Sequence, residues 1–310
     1  MCRHFAYLGE AVSIKSALFD PPYGLVHQAW SPRRQRHGTM NVDGFGVGWY
    51  SDGDPIPARY RGTGPIWADD CLPDVARVTT TRAMLCAVRS ASVGTETGAS
   101  AAAPYTEGSW LFSLNGALVG WSAAAGGPTT PRRRPAATAR AEDAAEPITE
   151  PAPSVPSAPA EAAAAVLRLA GRLSAAELLA LQARCDTALL WGLVLSRLKA
   201  GEPAAAALAG TVADIWAAGG TGRFNLLLTD GHLITATAAG DSLCFRHRAD
   251  GVLVASEPSD DDEDWQAVPD GSVVEATTAG VTVSPIAPAV PAGQFAPAAA
   301  AGQSNGKREA

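Results

Sequence analysis

The chain has 310 residues and a formal net charge of −7, with 47% of residues hydrophobic and 18% charged. That is enough for a full core, in one large domain or two small ones. The acidic balance offers no basic face to nucleic-acid phosphates, and no run of about 20 apolar residues is free of charges or turn formers, so no membrane span is expected.

Cys2 stands where removal of Met1 would leave a thiol and a free α-amino group on one residue. A thiol titrates near about 8.5 and an α-amine near about 7.7 to 8.0, so the amine can take the proton as the sulfur attacks, the logic of nucleophiles paired with a terminal amine. The bland alternative is an ordinary small residue after the start. Cys2, Cys71, Cys86, Cys185 and Cys244 are scattered and include no C-x-x-C pair. They indicate neither a disulfide framework nor a zinc site, and a reducing cytoplasm fits. The first residues also lack the basic-then-apolar pattern of a secretory signal.

Arg3–Leu8 reads as a strand that starts directly after Cys2. A helix is expected over Ala11–Asp20, closed by Pro21 and Pro22, followed by a polar loop over Ser31–Gly38. From Gly44 to Gly48 glycine recurs at every second position, which would let another backbone or a ligand approach one face of a strand. Met84–Val88 is an apolar strand that delivers Arg89 at its end, where a guanidinium could hold a carboxylate bidentately or form a structural ion pair.

Trp110–Leu114 is a second apolar strand, and it delivers Asn115 and Gly116. That dipeptide is either a hairpin turn or a pair of N–H donors aimed at an oxyanion. Ala123–Ala163 and Pro288–Ala310 are poor in core formers and are expected to be disordered. A helix is expected over Ser174–Leu198, with Asp186 set against its apolar pattern. A buried carboxylate there needs a cation, either a ligand ammonium or a protein Arg. A second helix over Pro203–Ala217 precedes strands at 225–229, 232–236, 243–248, 252–256 and 273–276, with a tight turn at Asp230-Gly231.

In this order, after Met-Cys-Arg-His, these features resemble the class II glutamine amidotransferase domain of the N-terminal-nucleophile hydrolases, over nearly the whole chain. The resemblance implies an α+β fold, a four-layer αββα sandwich of two antiparallel sheets between helices, in one domain over residues 2–287. It implies that Cys2 is the nucleophile, that Asn115 and Gly116 hold the oxyanion, that Arg89 binds the substrate α-carboxylate with Ser92 beside it, and that Asp186 receives the α-amino group. Asn41–Gly46 would have a structural role near the site. No metal and no cofactor is implied, and the partner is a small γ-glutamyl molecule.

Three positions depart from the family pattern. Leu114 and Val93 stand where His is frequent, and Ala188 stands where an acid is. With no acceptor domain appended, they point to a stand-alone hydrolase. Within the family, Met1–Gly9, Ala87–Ala91, Asp186–Trp191, Asn225–Gly231 and Ala255–Pro258 with Trp265 are similar to the ergothioneine-biosynthesis amidohydrolase branch. That likeness implies cleavage of the γ-glutamyl amide of γ-glutamyl-hercynylcysteine sulfoxide, releasing glutamate. Tyr23, Trp30, Trp110 and Trp121 are candidates for its trimethylammonium end. The alternatives are a glutaminase or amidotransferase subunit that supplies ammonia to a partner, and a non-catalytic binding module.

Overall fold

The computed structural model describes residues 2–92, 94–126 and 158–287. Most of the low-complexity stretch, the tail from 288 onwards and Val93 therefore lie outside the described residues. The strands are β1 (Arg3–Ser13), β2 (Phe45–Trp49), β3 (Ala58–Gly62), β4 (Thr80–Val88), β5 (Tyr105–Glu107), β6 (Trp110–Leu118), β7 (Gly222–Thr229), β8 (Ile234–Ala238), β9 (Cys244–Arg248), β10 (Gly251–Ala255), β11 (Gln266–Ala267), β12 (Ser272–Thr277) and β13 (Gly280–Pro285). The α-helices are α1 (Ile14–Leu18), α2 (Leu25–Trp30), α3 (Leu72–Val78), α4 (Trp121–Ala124), α5 (Ala158–Ala170), α6 (Ala175–Leu179), α7 (Asp186–Lys199) and α8 (Ala204–Ala217).

Two antiparallel sheets result. One runs β11-β9-β10-β1-β4-β2-β3 and the other β13-β12-β8-β7-β6-β5. Between them lies a core that includes Ala6, Leu8, Leu85, Leu111, Leu227, Ile234 and Val254. The outer face of the first sheet packs Phe5, Tyr7, Met84 and Val88 against Ile14, Leu18 and Leu25 of α1 and α2. The outer face of the second packs Phe112, Leu114 and Leu228 against Leu189, Leu190, Leu208 and Val212 of α7 and α8. The expected αββα layering is what the chain forms. It also explains why β1, β4 and β6 read as continuous apolar runs: a central strand with cover on both faces has no solvent side on which to alternate.

Four local expectations change. β1 continues to Ser13, so Ala11–Ser13 are strand and α1 is a short turn of helix capped by the Ser13 hydroxyl. The helix expected over 174–198 is broken. α6 ends at Leu179 and α7 begins at Asp186, and the break puts Asp186 at a helix N-terminus. The Ala-rich end of the low-complexity stretch is helical from Ala158, since alanine is both a low-complexity residue and the strongest helix former. The β7–β8 connection uses four residues, with the Asp230 side chain accepting from the His232 and Leu233 amides.

The glycine alternation in β2 has a direct cause. A Cβ on Gly46 would lie 2.1 Å from the Ala103 carbonyl oxygen, and one on Gly48 would lie 2.8 Å from Leu111 and Pro104. The loop before β5 and the second sheet therefore press onto the bare face of β2.

Candidate active site

Cys2 immediately precedes β1, the central strand of the first sheet, and is half-buried. Register fixes it rigidly, because Arg3 pairs with Val88 and His4 with Ala87 of β4. Val88 is the last residue of β4, so the end of that strand and the start of β1 lie side by side. Arg89 is thereby delivered next to Cys2, and both line one narrow pocket together with Phe45, Ala87, Val88, Ala101, Ala103, Ser113, Leu114 and Thr187.

Arg89 is 8% exposed. Its Nη2 donates to Thr95 Oγ1 at 3.1 Å and to the Glu96 carbonyl at 2.7 Å, whereas Nη1 is buried with no hydrogen-bond partner among the described residues. The structural ion pair that the sequence left open for Arg89 is not what forms among the described residues, since both partners of Nη2 are neutral. The Asn41–Gly46 segment holds its backbone. The Arg89 amide donates to the Gly44 carbonyl, the Asp43 amide donates to the Arg89 carbonyl, and Asp43 Oδ2 accepts from the Ala91 amide at 2.8 Å.

Asn115 and Gly116 lie within β6, opposite Asn225 and Phe224 of β7, which overturns the hairpin-turn alternative. Asn115 is fully buried. Of its two amide orientations, the one that satisfies both ends has Nδ2 donating to the Cys2 carbonyl and Oδ1 accepting from Arg3 Nη1 at 3.2 Å, which leaves one amide hydrogen for another acceptor. At Gly116 a Cβ would fall 1.9 Å from the Arg223 carbonyl oxygen, so no side chain fits there.

Asp186 is buried at the start of α7. No arginine or lysine forms an ion pair with it among the described residues, although the Arg89 charge is near enough to act on it. Its oxygens accept instead from the Leu118 amide at 3.0 Å and the Thr187 amide at 2.9 Å. Burial raises its pKa, while those amides and the nearby Arg89 charge act in the opposite sense. Asp186 adjoins the pocket through Thr187 and is not itself part of its wall. Ser92 is exposed and outside the lining, and its carbonyl accepts from Thr95.

None of the four aromatic candidates lines the pocket. The Tyr23 ring already carries the Arg33 guanidinium 4.0 Å from its centroid, and Trp30 rests against His27. Trp110 opens β6 at the end remote from Asn115, and Trp121 opens α4.

Sequence reasoning missed the groups that brace Cys2 from behind. Arg3 is fully buried, with Nε 3.5 Å from Glu257 Oε2. The Glu257 carboxylate also accepts from the Arg33 and Arg34 amides at 2.9 and 2.6 Å, so one acid ties β1 to the loop after α2. His4 is buried, and its Nδ1 lies 3.0 Å from Ser113 Oγ. The one available signal was burial itself: an Arg-His pair inside an apolar strand must find partners. Among the described residues no group of three or more His, Cys, Asp or Glu is placed to hold a metal, and no helix is long and apolar enough to cross a membrane.

No family model matches the chain. It is 35% identical over 284 residues to the gamma-glutamyl-hercynylcysteine sulfoxide hydrolase of Mycobacterium tuberculosis, spanning 92% of this chain and 96% of that protein. It is 33% identical over 286 residues to the protein of the same name in Mycolicibacterium smegmatis, spanning 92% of this chain and 100% of that protein. Among solved structures, the glutamine aminotransferase class-II domain protein of Silicibacter pomeroyi matches with a TM-score of 0.58 at 20% identity, over 93% of this chain and 100% of that chain. At that identity the likeness is one of fold.

Proposed function

This chain belongs to the gamma-glutamyl-hercynylcysteine sulfoxide hydrolase family, and from that premise we propose that it cleaves the γ-glutamyl amide of γ-glutamyl-hercynylcysteine sulfoxide, the step in ergothioneine biosynthesis that gives glutamate and hercynylcysteine sulfoxide. The observation that carries the reading is Arg89. A buried guanidinium whose Nη1 has no partner among the described residues, in the wall of the pocket that holds Cys2, is suited to the α-carboxylate of a glutamyl group.

In the proposed mechanism Met1 is absent and Cys2 carries the free α-amine. The amine accepts the thiol proton as sulfur bonds to the γ-carbonyl carbon. The remaining Nδ2 hydrogen of Asn115 and the Gly116 amide donate to the oxygen that becomes negative. The C–N bond then breaks, the α-ammonium returns its proton to the leaving nitrogen, and a γ-glutamyl thioester remains on Cys2. Water adds to the thioester carbonyl, with its proton taken by the same amine, and the sulfur leaves. In this reading the substrate α-ammonium reaches Asp186 past Thr187, which separates it from the pocket wall, and takes the oxygen lone pairs that its two amide donors leave over. Ser92, exposed and outside the lining, is assigned the carboxylate side by the resemblance alone. No step calls for a metal or a cofactor.

Purified protein is to be assayed with γ-glutamyl-hercynylcysteine sulfoxide and, separately, with glutamine. The reading expects faster release of glutamate from the former, and a preference for glutamine contradicts it. Cys2→Ala is expected to abolish turnover with the fold intact, and turnover near wild type contradicts the mechanism.

A further inference from the structure

His4 is a buried titratable side chain for which the mechanism above has no use. It is fully buried and lies two residues beyond Cys2, so both side chains leave the same face of the extended backbone. That face meets β6, where Ser113 and Asn115, also two residues apart, share the facing side. Asn115 engages the Cys2 carbonyl, and Ser113 engages His4 through an Nδ1 to Oγ distance of 3.0 Å. Ser113 is also in the wall of the pocket that contains Cys2 and Arg89.

The ring can carry its proton on either nitrogen, and its surroundings choose. Burial, with the adjacent Arg3 charge, holds the His4 pKa down at about 3, so the ring has one N–H and one lone pair. Nε2 is buried with no hydrogen-bond partner among the described residues. A proton there would be an orphaned buried N–H, a costly arrangement that folded proteins rarely show, whereas an unsatisfied lone pair is better tolerated. With the proton on Nδ1, the ring donates to Ser113 Oγ. The serine has then accepted a hydrogen bond and keeps its own O–H for donation.

We propose that His4, protonated at Nδ1, orients Ser113 so that the Ser113 hydroxyl donates into the Cys2 pocket, to the carbonyl oxygen of the acyl group held on Cys2. Ser113 is then a third donor beside Asn115 and Gly116, and His4 is a positioning residue that acts through it. The inference rests on the hydrolase reading and adds a residue pair to it.

Two measurements test it. Nitrogen-15 NMR of the full chain labelled at histidine, with the His4 signals assigned by their loss in His4→Asn, reads the tautomer directly. A protonated Nδ1 is expected, and a protonated Nε2 overturns the proposal. Steady-state kinetics on the γ-glutamyl substrate form the second arm. Ser113→Ala is expected to lower kcat by about tenfold to a hundredfold with KM little changed. His4→Leu combined with Ser113→Ala is expected to be no slower than Ser113→Ala alone, and His4→Asn, whose amide N–H can take the place of Nδ1–H, to keep more activity than His4→Leu. An unchanged kcat in Ser113→Ala, or losses that add in the double variant, overturns the donor role while leaving the hydrolase reading intact. A wild-type protein that turns over no γ-glutamyl amide overturns the hydrolase reading and this role with it.

Discussion

A guanidinium buried as deeply as Arg89, with one nitrogen lacking a partner among the described residues, is costly until something anionic arrives. A carboxylate that closes on Nη1 satisfies it, and a lysine cannot present the same fork. Arg89→Lys is therefore expected to raise KM for the γ-glutamyl substrate by about tenfold or more, with a smaller fall in kcat. Steady-state kinetics check this, and an unchanged KM removes Arg89 from the binding site. The position of Arg89 was legible because it follows an apolar run that could only be a strand. The surroundings of Asp186 were not, because one of the amides that satisfy it belongs to Leu118, at the end of β6 and far away in sequence. Ser113 and His4 were equally hidden, since their contact joins residues 109 positions apart.

At the scale of the element, apolar runs marked the inner strands, whereas the edge strands β3, β5, β11 and β13 were not read from the sequence and strand ends were read poorly. β4, β6, β7 and β10 follow from their apolar runs, while β1 outruns its apolar part to Ser13 because β4 still offers Thr80 and Thr81 as partners. The break before α7 was unreadable because good helix formers fill it, and the stretch Leu181–Cys185, half-buried or buried except at Arg184, takes its shape from packing. One element-level feature supports the pocket directly: the bare face of β2. Gly46→Ala would drive a Cβ against the Ala103 carbonyl, backbone that also belongs to the pocket wall. It is expected to cost about 1 to 3 kcal/mol of stability and to lower kcat/KM together with it. Chemical denaturation and kinetics on the same samples check this, and a variant with wild-type stability contradicts the close packing.

Across the whole molecule, the site exists because two sheets are held face to face with β1 and β6 opposed. That arrangement buries His4, and burial sets a pH dependence. The His4 pKa is about 3 in the folded protein and about 6.5 in an unfolded chain. Between those values the unfolded state holds a proton that the folded state refuses, so stability is complete above about pH 6.5 and falls as pH drops toward 3, by on the order of 1 kcal/mol per pH unit from this group. Asp186, whose pKa burial raises, acts in the opposite sense at the acidic end. Thermal melts from pH 7 to 4 are expected to show the decline, and His4→Asn to flatten it; parallel curves for the two proteins contradict this. The central claim is that Cys2, as the first residue, is the nucleophile. Intact-mass measurement before and after mixing with a diazo-ketone analogue of glutamine tests it most directly. The expected result is a protein that lacks Met1 and gains one adduct, mapped to Cys2. An active protein that retains Met1, or an adduct on any other residue, contradicts it.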